Sequence, residues 1–454
     1  AMEATDMTMK GALAVTRFGL GARRGEIDAA SGDPEGWLRG QLTPAAISDF
    51  PDGPLKSSKD HLTGALDYLR MARGQSIDET AQQAFRRSAR RTGIAEVTAR
   101  TTFAASTDHP FHERLVRFWA NHFTVAVNSP QTRLVVGAYE REAIRPNILG
   151  SFTDLALSAI FHPGMLAYLN NFQSIGPGSR AGRRTGRGLN ENLAREVLEL
   201  HTVTPTAGYT QADVTSFAKA LTGWTVGNHR VGSGQMGKTV FSGLLHEPGS
   251  QTVMSRRYSQ RGGEQAKAIV RDLCTSPHTA DSVAFKLARH FVSDAPPASL
   301  VQRLSASFQR TGGDLGALYE TLIGAEEAWV PEPMKVKTPD ELIISTARLV
   351  GLPRVLVGEP SSLFQSFAQI PFTAPSPEGW PDEAVAWTGP DAIMKRVEWA
   401  NRLAERNATL DARALLMTAL GPRATADTLQ AVSRAESPSQ AIALALMSPD
   451  FQMR

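Results

Sequence analysis

A short polar stretch at residues 190–201 holds the residue types that acid–base chemistry or metal binding requires. Its three carboxylates, one arginine and one histidine are Glu191, Arg195, Glu196, Glu199 and His201. Apolar residues are interleaved with them, so we expect some of these polar groups to face the interior or a cleft. A buried polar group is costly unless it is paired or has a function. We therefore predict that this stretch contains the functional site.

The spacing within this stretch leaves two interpretations open. Glu191, Arg195 and Glu199 recur every four residues, which on a helix is typical of a surface ion-pair ladder contributing ~0.2–0.5 kcal/mol per pair. Glu196 and Glu199 are three residues apart, a spacing at which two carboxylates can share a proton or bind a metal ion. His201 follows Glu199 by two residues, which matches neither of the common Glu/His metal motifs. A divalent metal would therefore need further ligands from other segments, and the cofactor stays unknown.

Further candidates lie outside this stretch. His122 follows Asn121 on the apolar face of a predicted helix, where a histidine is either a satisfied core residue or part of a site. His246 lies in a predicted turn, where it is either solvated or part of a lid. We predict that the catalytic residues are Glu196, Glu199, His122 and His201. The predicted substrate contacts are Asn121, Asn190, Glu191, Arg195, Trp224 and His246, and Asn190 is also a candidate N-cap.

The composition is typical of a folded globular protein. The 454 residues are 42% hydrophobic and 20% charged, and 48 basic residues nearly balance 45 acidic ones. The single cysteine, Cys274, excludes an internal disulfide and is expected to be a buried thiol at a helix end. No run of 18 apolar residues occurs, so no membrane span is predicted. The basic loop 174–189 has no interleaved aromatic residues, which argues against a nucleic-acid partner.

Helical periodicity dominates the elements that must position these residues. Apolar residues recur at helical spacing in 111–123, 212–221, 281–292, 316–324, 340–350, 391–404 and 438–447. Capping residues predict helix starts at Thr210, Thr338 and Ser437. The segment 238–258 predicts a β-hairpin around Pro248 and Gly249. The predicted fold class is mainly α: one large helical domain over 10–454 with a small β-hairpin insertion, or a domain with a second lobe from about 263.

Ordered blocks along the chain resemble a bacterial family known as domain of unknown function 1800. The likeness covers nearly the whole chain through blocks such as Arg17-Phe-Gly-Leu-Gly, Phe118-Trp-Ala-Asn-His-Phe, His162-Pro-Gly-Met-Leu-Ala-Tyr-Leu, Asn190-Glu-Asn-Leu-Ala-Arg-Glu-Val-Leu-Glu-Leu-His-Thr, Leu221-Thr-Gly-Trp, Gly379-Trp-Pro-Asp and Ser448-Pro-Asp-Phe-Gln. The resemblance implies a mainly helical fold with no established activity. One departure is Asn170, where the family pattern has an aspartate.

The resemblance and the N-terminal sequence imply different locations. The N-terminus lacks a basic segment followed by an apolar one, which predicts a cytoplasmic protein. The resemblance implies frequent export, and therefore a periplasmic or secreted protein. It also implies a neighbouring protein that looks like a sulfatase or an alkaline phosphatase as a partner.

Two classes of function follow from the residues. The first is a hydrolase-like enzyme with an acid/base or metal site on the 190–201 helix, in which Glu196 or Glu199 is the base or a metal ligand. A histidine would be the acid, and Arg195 would bind an anion. The alternative is a non-enzymatic helical scaffold or accessory protein for the sulfatase- or phosphatase-like partner. In that case the polar helix would be an ion-pair network that fixes the packing.

Overall fold

The protein folds mainly into α-helices, as the sequence predicts. The structure is a computed structural model that describes residues 2–51, 53–74 and 78–454. Within these ranges no helix has both the length and the apolar character that a membrane span requires. The first helices are α1 (Met2–Leu13), α2 (Glu26–Ser31), α3 (Pro34–Arg39), α4 (Pro44–Ser48), α5 (Ser58–Gly74), α6 (Glu79–Ser106), α7 (Pro110–His122), α8 (Pro130–Tyr139), α9 (Phe152–Ile160), α10 (Pro163–Tyr168), α11 (Arg180–Thr185), α12 (Asn192–Glu196) and α13 (Gln211–Leu221).

A second series of helices follows a short β region. These helices are α14 (Glu264–Cys274), α15 (Pro277–Phe291), α16 (Ala298–Thr311), α17 (Leu315–Ile323), α18 (Pro339–Val350), α19 (Leu352–Val355), α20 (Pro360–Ser366), α21 (Pro390–Arg406), α22 (Ala412–Leu420), α23 (Ala426–Ser433), α24 (Pro438–Met447) and α25 (Pro449–Gln452). Wider π-helical turns occur at Ala14–Phe18, Glu140–Ile144 and Val197–His201. The last of these continues α12, so the predicted 190–201 helix is one α-helical turn followed by one π-helical turn.

The predicted helices and caps are confirmed. The seven periodic segments correspond to α7, α13, α15, α17, α18, α21 and α24. Thr210 with Asp213, and Thr338 with Glu341, form reciprocal capping boxes, and Ser437 caps α24. These side chains satisfy amide groups that the first helical turn leaves without a partner. Cys274 is buried at the end of α14, as predicted, and burial raises the pKa of its thiol.

The β segment differs from the predicted hairpin. Four short strands are described, β1 (Trp224–Val226), β2 (Thr239–Phe241), β3 (Gln251–Val253) and β4 (Arg256–Tyr258). β3 pairs with β4, which confirms a small β-hairpin within 238–258. β2 pairs instead with β1, so the predicted pairing across Pro248 and Gly249 is wrong. The β3–β4 turn consists of Met254 and Ser255, both at positive φ (48° and 65°). Tight turns of this kind usually contain asparagine or glycine, so this sequence does not reveal the turn.

Two large apolar clusters and one small one form the interior. The first large cluster extends from Ala12 to Trp329 and surrounds Trp119, whose indole donates to the hydroxyl of Tyr319 at 2.7 Å. The second large cluster contains buried residues between Leu342 and Phe451, together with Val97 and Ala105 of α6. The single domain and the second lobe from about 263 stay predictions, since two packed clusters are compatible with either organisation.

Buried arginines lie where the two clusters meet. Arg348 of α18 donates to the carbonyl oxygens of Gly21 (2.8 Å), Ala104 (3.0 Å) and Thr107 (3.0 Å), and it pairs with Glu26 at 2.7 Å. Loop carbonyls need donors when they are buried away from water. The planar guanidinium supplies several donors at once, so one side chain ties three segments together.

The block Arg17–Gly21 belongs to the same junction. Arg17 donates to the carbonyl oxygens of Ala328 (2.8 Å), Val330 (2.7 Å) and Glu332 (2.7 Å). Gly21 has φ +99°, and a Cβ there would lie 2.6 Å from Cβ of Ser345. The block therefore packs the two clusters against each other.

We predict that Arg348→Lys destabilises the protein by about 3–5 kcal/mol, because an ammonium cannot satisfy the three carbonyls and Glu26 together. Urea unfolding measures the loss. The control is Arg86→Lys, at an exposed position of α6, which we expect to change stability by less than about 0.5 kcal/mol. Equal effects of the two substitutions would contradict this role of Arg348.

Candidate functional site

A cleft of about 400 Å³ opens between four segments. It is lined by the second half of α7, the end of α15, the start of α18 and the segment 369–383. We refer to it as the cleft. Its apolar lining includes Phe118, Pro371 and Phe372, and its polar lining includes Asn121, His122, Lys286, Arg289, His290 and Asp382. A concave site with an apolar wall and a few convergent polar groups is typical of small-molecule binding.

Asn121 fixes the segment 369–383 against α7. Its Nδ2 donates to the carbonyl of Trp380 at 2.9 Å, and its Oδ1 accepts the amide of Trp380 at 2.8 Å. Gly379 has φ +90°, and a Cβ there would lie 2.6–2.7 Å from Asn121 and Thr124. Only glycine allows this approach without strain. The predicted substrate contact Asn121 therefore lies at the cleft and also sets the position of one of its walls.

Most charged groups around the cleft are paired. Arg114 binds Glu341 at 2.5 Å, Arg117 binds Asp340 at 2.5 Å, and Arg100 binds Glu140 at 3.0 Å. Arg289 pairs with Glu383, and His290 Nδ1 lies 3.3 Å from Asp382. These pairs compensate most of the charge that the cleft removes from water.

Lys286 is the exception among the cations of the cleft. Its Nζ donates to the carbonyl of Leu200 at 3.0 Å, and it forms no ion pair with a described residue. Burial, and then the neighbouring charge of Arg289, lower the pKa of Lys286 to about 8, while Glu378 acts in the opposite direction. Burial disfavours the charged form of an amine. The cleft thus holds an amine that is partly neutral close to physiological pH.

The two predicted catalytic histidines lie near this amine. His122 lines the cleft, and its Nε2 donates to the carbonyl of His201 at 3.1 Å, so Nδ1 carries the lone pair. Burial and then Lys286 keep the pKa of His122 well below its usual range and lower the pKa of His201 to about 3. Both rings are therefore neutral at pH 7. They lie 6.3 Å apart between ring centres, and His201 does not line the cleft.

The predicted carboxylates lie elsewhere. No residue of 190–201 lines the cleft. Glu199 is exposed and Glu196 is partly buried. Burial, and then the charge of Glu199, raise the pKa of Glu196. No group of three or more His, Cys, Asp or Glu side chains in the described ranges is arranged to hold a metal ion. The catalytic roles of Glu196 and Glu199 stay predictions.

The other polar residues of this stretch form a surface network. Glu191 pairs with Arg195 at 3.3 Å and accepts hydrogen bonds from Gln211 (2.8 Å) and Thr215 (2.6 Å) of α13. Arg195 also donates to Gln211 at 3.0 Å. The contacts connect α12 to α13, which agrees with the ion-pair interpretation for this end. Asn190 accepts the amide of Asn192 at 2.9 Å, so it turns the chain into α12 one position before the N-cap, which is Glu191.

Trp224 and His246 both pack against Phe241 and lie away from the cleft. The rings of both contact Phe241, at 5.5 Å and 5.1 Å between centres. His246 Nδ1 lies 2.8 Å from the carbonyl of Thr222, and the indole of Trp224 donates to Gly263. Neither residue lines the cleft. Their predicted substrate contacts stay predictions.

Asn170 occupies a left-handed turn after α10, with φ 58°. Asparagine and aspartate both tolerate this conformation better than other non-glycine residues. The replacement of the expected aspartate is therefore compatible with the backbone. Asn170 does not line the cleft.

Sequence reasoning missed Lys286, Arg289 and His290. They lie at positions i, i+3 and i+4 of α15 among apolar residues. This spacing is the feature of the sequence that could have indicated that they share one face of the helix. Asp382 ends the block Gly379-Trp-Pro-Asp that carries part of the family resemblance. The contact between the two segments is long-range and no local pattern predicts it.

We predict that Asn121→Ala accelerates hydrogen exchange of the Trp380 amide by roughly tenfold or more, since each lost hydrogen bond contributes about 1 kcal/mol. Mass spectrometry on peptides covering 371–383 measures the change. Asn192→Ala, at an exposed position of α12, is the control and should leave these peptides unchanged. Unchanged exchange in Asn121→Ala would show that other contacts hold this wall.

We predict that Glu196→Gln stabilises the protein at pH 7 more than at pH 4. The raised pKa of Glu196 means that the folded state holds this proton more tightly than the unfolded chain. Its contribution to the unfolding free energy therefore falls as pH rises from the ordinary value of ~4.3 through the raised one. Glutamine mimics the protonated form and avoids this loss. Urea unfolding at both pH values measures the effect, and Glu398→Gln at an exposed position of α21 controls for one lost charge. An equal gain at both pH values would contradict the expectation.

Comparison with known proteins gives a family and no function. No characterised protein and no solved structure matches the chain significantly. A family model described as a protein of unknown function, DUF1800, matches residues 13–453. This match spans nearly the whole chain and confirms the resemblance seen in the sequence. The chain therefore belongs to the DUF1800 family of proteins of unknown function.

Proposed function

We propose that the protein is an enzyme, that the cleft is its active site, and that the amine of Lys286 is its acid–base group. The observation that carries this proposal is the pattern of charge pairing. The arginines that line the cleft are each paired with a carboxylate, whereas among the described residues Lys286 donates to the carbonyl of Leu200 and has no ion-pair partner. A partly buried cation without an ion-pair partner lowers stability. Such groups concentrate at functional sites, where the perturbed titration serves the chemistry.

The electrostatics of Lys286 support the role of a base. A general base is most effective when its pKa is close to the pH at which it works, and the pKa of Lys286 is lowered to about 8. The neutral ring of His122 shares the cleft and adds no positive charge beside the amine. The amine is therefore available to take a proton from a bound molecule.

Hydrolysis remains the reaction class that we propose to test first. Lys286 takes the place that the sequence suggested for Glu196 or Glu199, and it would remove a proton from the attacking water. The volume of the cleft, about 400 Å³, suits a small substrate.

A helical accessory protein for a sulfatase- or phosphatase-like partner is the second candidate. The surface network of Glu191, Arg195 and Gln211 favours it, because these polar groups join two helices and do not face the cleft. In this case Lys286 would affect stability alone.

We predict that Lys286→Gln lowers kcat/KM by roughly 100-fold or more on any substrate found in a screen of phosphate, sulfate and carboxylate esters. In the unmodified protein, activity should rise as pH increases through about 8, because Lys286 then loses its proton. Lys238→Gln, at an exposed position before β2, is the matched control and should keep full activity. Turnover that survives in Lys286→Gln would contradict the proposed function.

A further inference from the structure

We infer that the substrate is a small carbonyl compound, and that the amine of Lys286 forms an imine with its carbonyl carbon. This inference rests on the proposed function in placing the active site in the same cleft, and it goes beyond hydrolysis by giving Lys286 a second role on a different substrate class. It differs from proton transfer alone, since the amine becomes covalently bound to the substrate.

Lys286 is the strongest available nucleophile in the lining of the cleft. The described lining contains no cysteine. The hydroxyl of Thr124 donates to the carbonyl of Asn121 at 2.6 Å, and the hydroxyl of Thr338 accepts the amide of Glu341. Ser376 is the third hydroxyl of the lining. Serine and threonine hydroxyls need an adjacent base to become nucleophiles, and no described histidine hydrogen-bonds any of these three hydroxyls.

The two histidines of the lining already have other partners. Nδ1 of His290 is hydrogen-bonded to Asp382, and Arg114 lies 3.4 Å from Nε2 of the same ring. His122 donates through Nε2 to the carbonyl of His201. The remaining nucleophile is the nitrogen of Lys286. Its neutral form has a lone pair, and one N–H group is fixed by the carbonyl of Leu200.

An amine nucleophile selects for carbonyl substrates. Lysine forms reversible covalent intermediates with aldehydes and ketones, whereas its products with acyl groups are stable amides that would stop turnover. The surroundings favour this chemistry as well. Phe118, Phe372 and Pro371 form an apolar wall, which favours the neutral amine and limits the access of water while the imine forms.

The step balances without a further reactant. The lone pair of Nζ attacks the carbonyl carbon, the C=O π electrons move to oxygen, and a proton passes from nitrogen to that oxygen. The C–O bond of the resulting carbinolamine then breaks, a C=N bond forms, and one water molecule leaves. Glu378 lines the cleft and its charge acts on Lys286, so we assign the proton transfer to this carboxylate. Hydrolysis of the imine reverses the sequence and restores the free amine.

The test is reductive trapping on the intact protein at pH 7. Pyruvate and acetaldehyde are the probes, sodium cyanoborohydride reduces any imine to a stable amine, and peptide mass spectrometry locates the adduct. We expect the Lys286 peptide to be labelled roughly tenfold faster than the Lys238 peptide of the same digest, because more of its amine is neutral. Lys286→Arg should lose this label, and unfolding the protein in urea should bring both lysines to the same rate.

Each outcome decides the inference. Selective labelling of Lys286 that disappears in urea supports it. Equal labelling of Lys286 and Lys238 in the folded protein overturns it. If selective labelling is absent but Lys286→Gln still abolishes turnover, the imine is overturned and the proposed acid–base function stands. If labelling is equal and Lys286→Gln retains turnover, both are overturned.

Discussion

The structure depends on buried guanidinium groups that satisfy backbone carbonyls where two apolar clusters meet. Helices satisfy their own backbone, but the loops between them do not, and a loop buried between two clusters leaves its carbonyls without donors. Arg17 and Arg348 each donate to three such carbonyls or more, from segments more than 200 residues away in the chain. Hydrophobic packing alone could not fix these loops in one arrangement, because it is not directional.

The same requirement, that buried carbonyls have hydrogen-bond donors, also determines the structure around the cleft. Arg114 donates to the carbonyl of Gly19 at 2.6 Å, binds Glu341 and also lines the cleft. The wall opposite α7 is held by Asn121 through Trp380. Paired polar groups therefore surround the cleft, and Lys286 remains as the cation of its lining without an ion-pair partner among the described residues. This contrast separates groups that maintain the structure from a group that is available for chemistry.

The sequence was sufficient where local interactions determine the structure. The apolar periodicity of α7, α15 and α18, and capping pairs such as Thr210 with Asp213, predict helices because the partners lie within a few residues. The strand pairing failed because Met254 and Ser255 adopt positive φ without the usual turn residues. The composition of the polar stretch 190–201 indicated a functional site, although two of its charged groups, Glu191 and Arg195, join α12 to α13 on the surface.

The cleft could not be predicted for a related reason. Its two main walls, α7 and the segment 369–383, meet through hydrogen bonds between residues 259 positions apart. No pattern in a single sequence indicates that two segments so far apart in the chain come into contact. His122 and Asn121 were identified because they stand at the end of an amphipathic helix, where polar residues interrupt an apolar face. Lys286 was not identified, since a single lysine on a helix is usually exposed to solvent. Its partial burial and its lack of an ion-pair partner among the described residues are visible only in the structure.

The central claim is that enclosure by the cleft walls makes Lys286 an amine with unusual titration. NMR of ¹³Cε in ¹³C-labelled lysine, assigned with Lys286→Arg, measures the pKa of this residue directly. We expect a pKa of about 8 in the unmodified protein. In Gly379→Ala, where the added methyl group must displace the wall from Asn121, we expect the pKa to move upward towards the ordinary value of ~10.4. A pKa close to that ordinary value in both proteins would contradict the account.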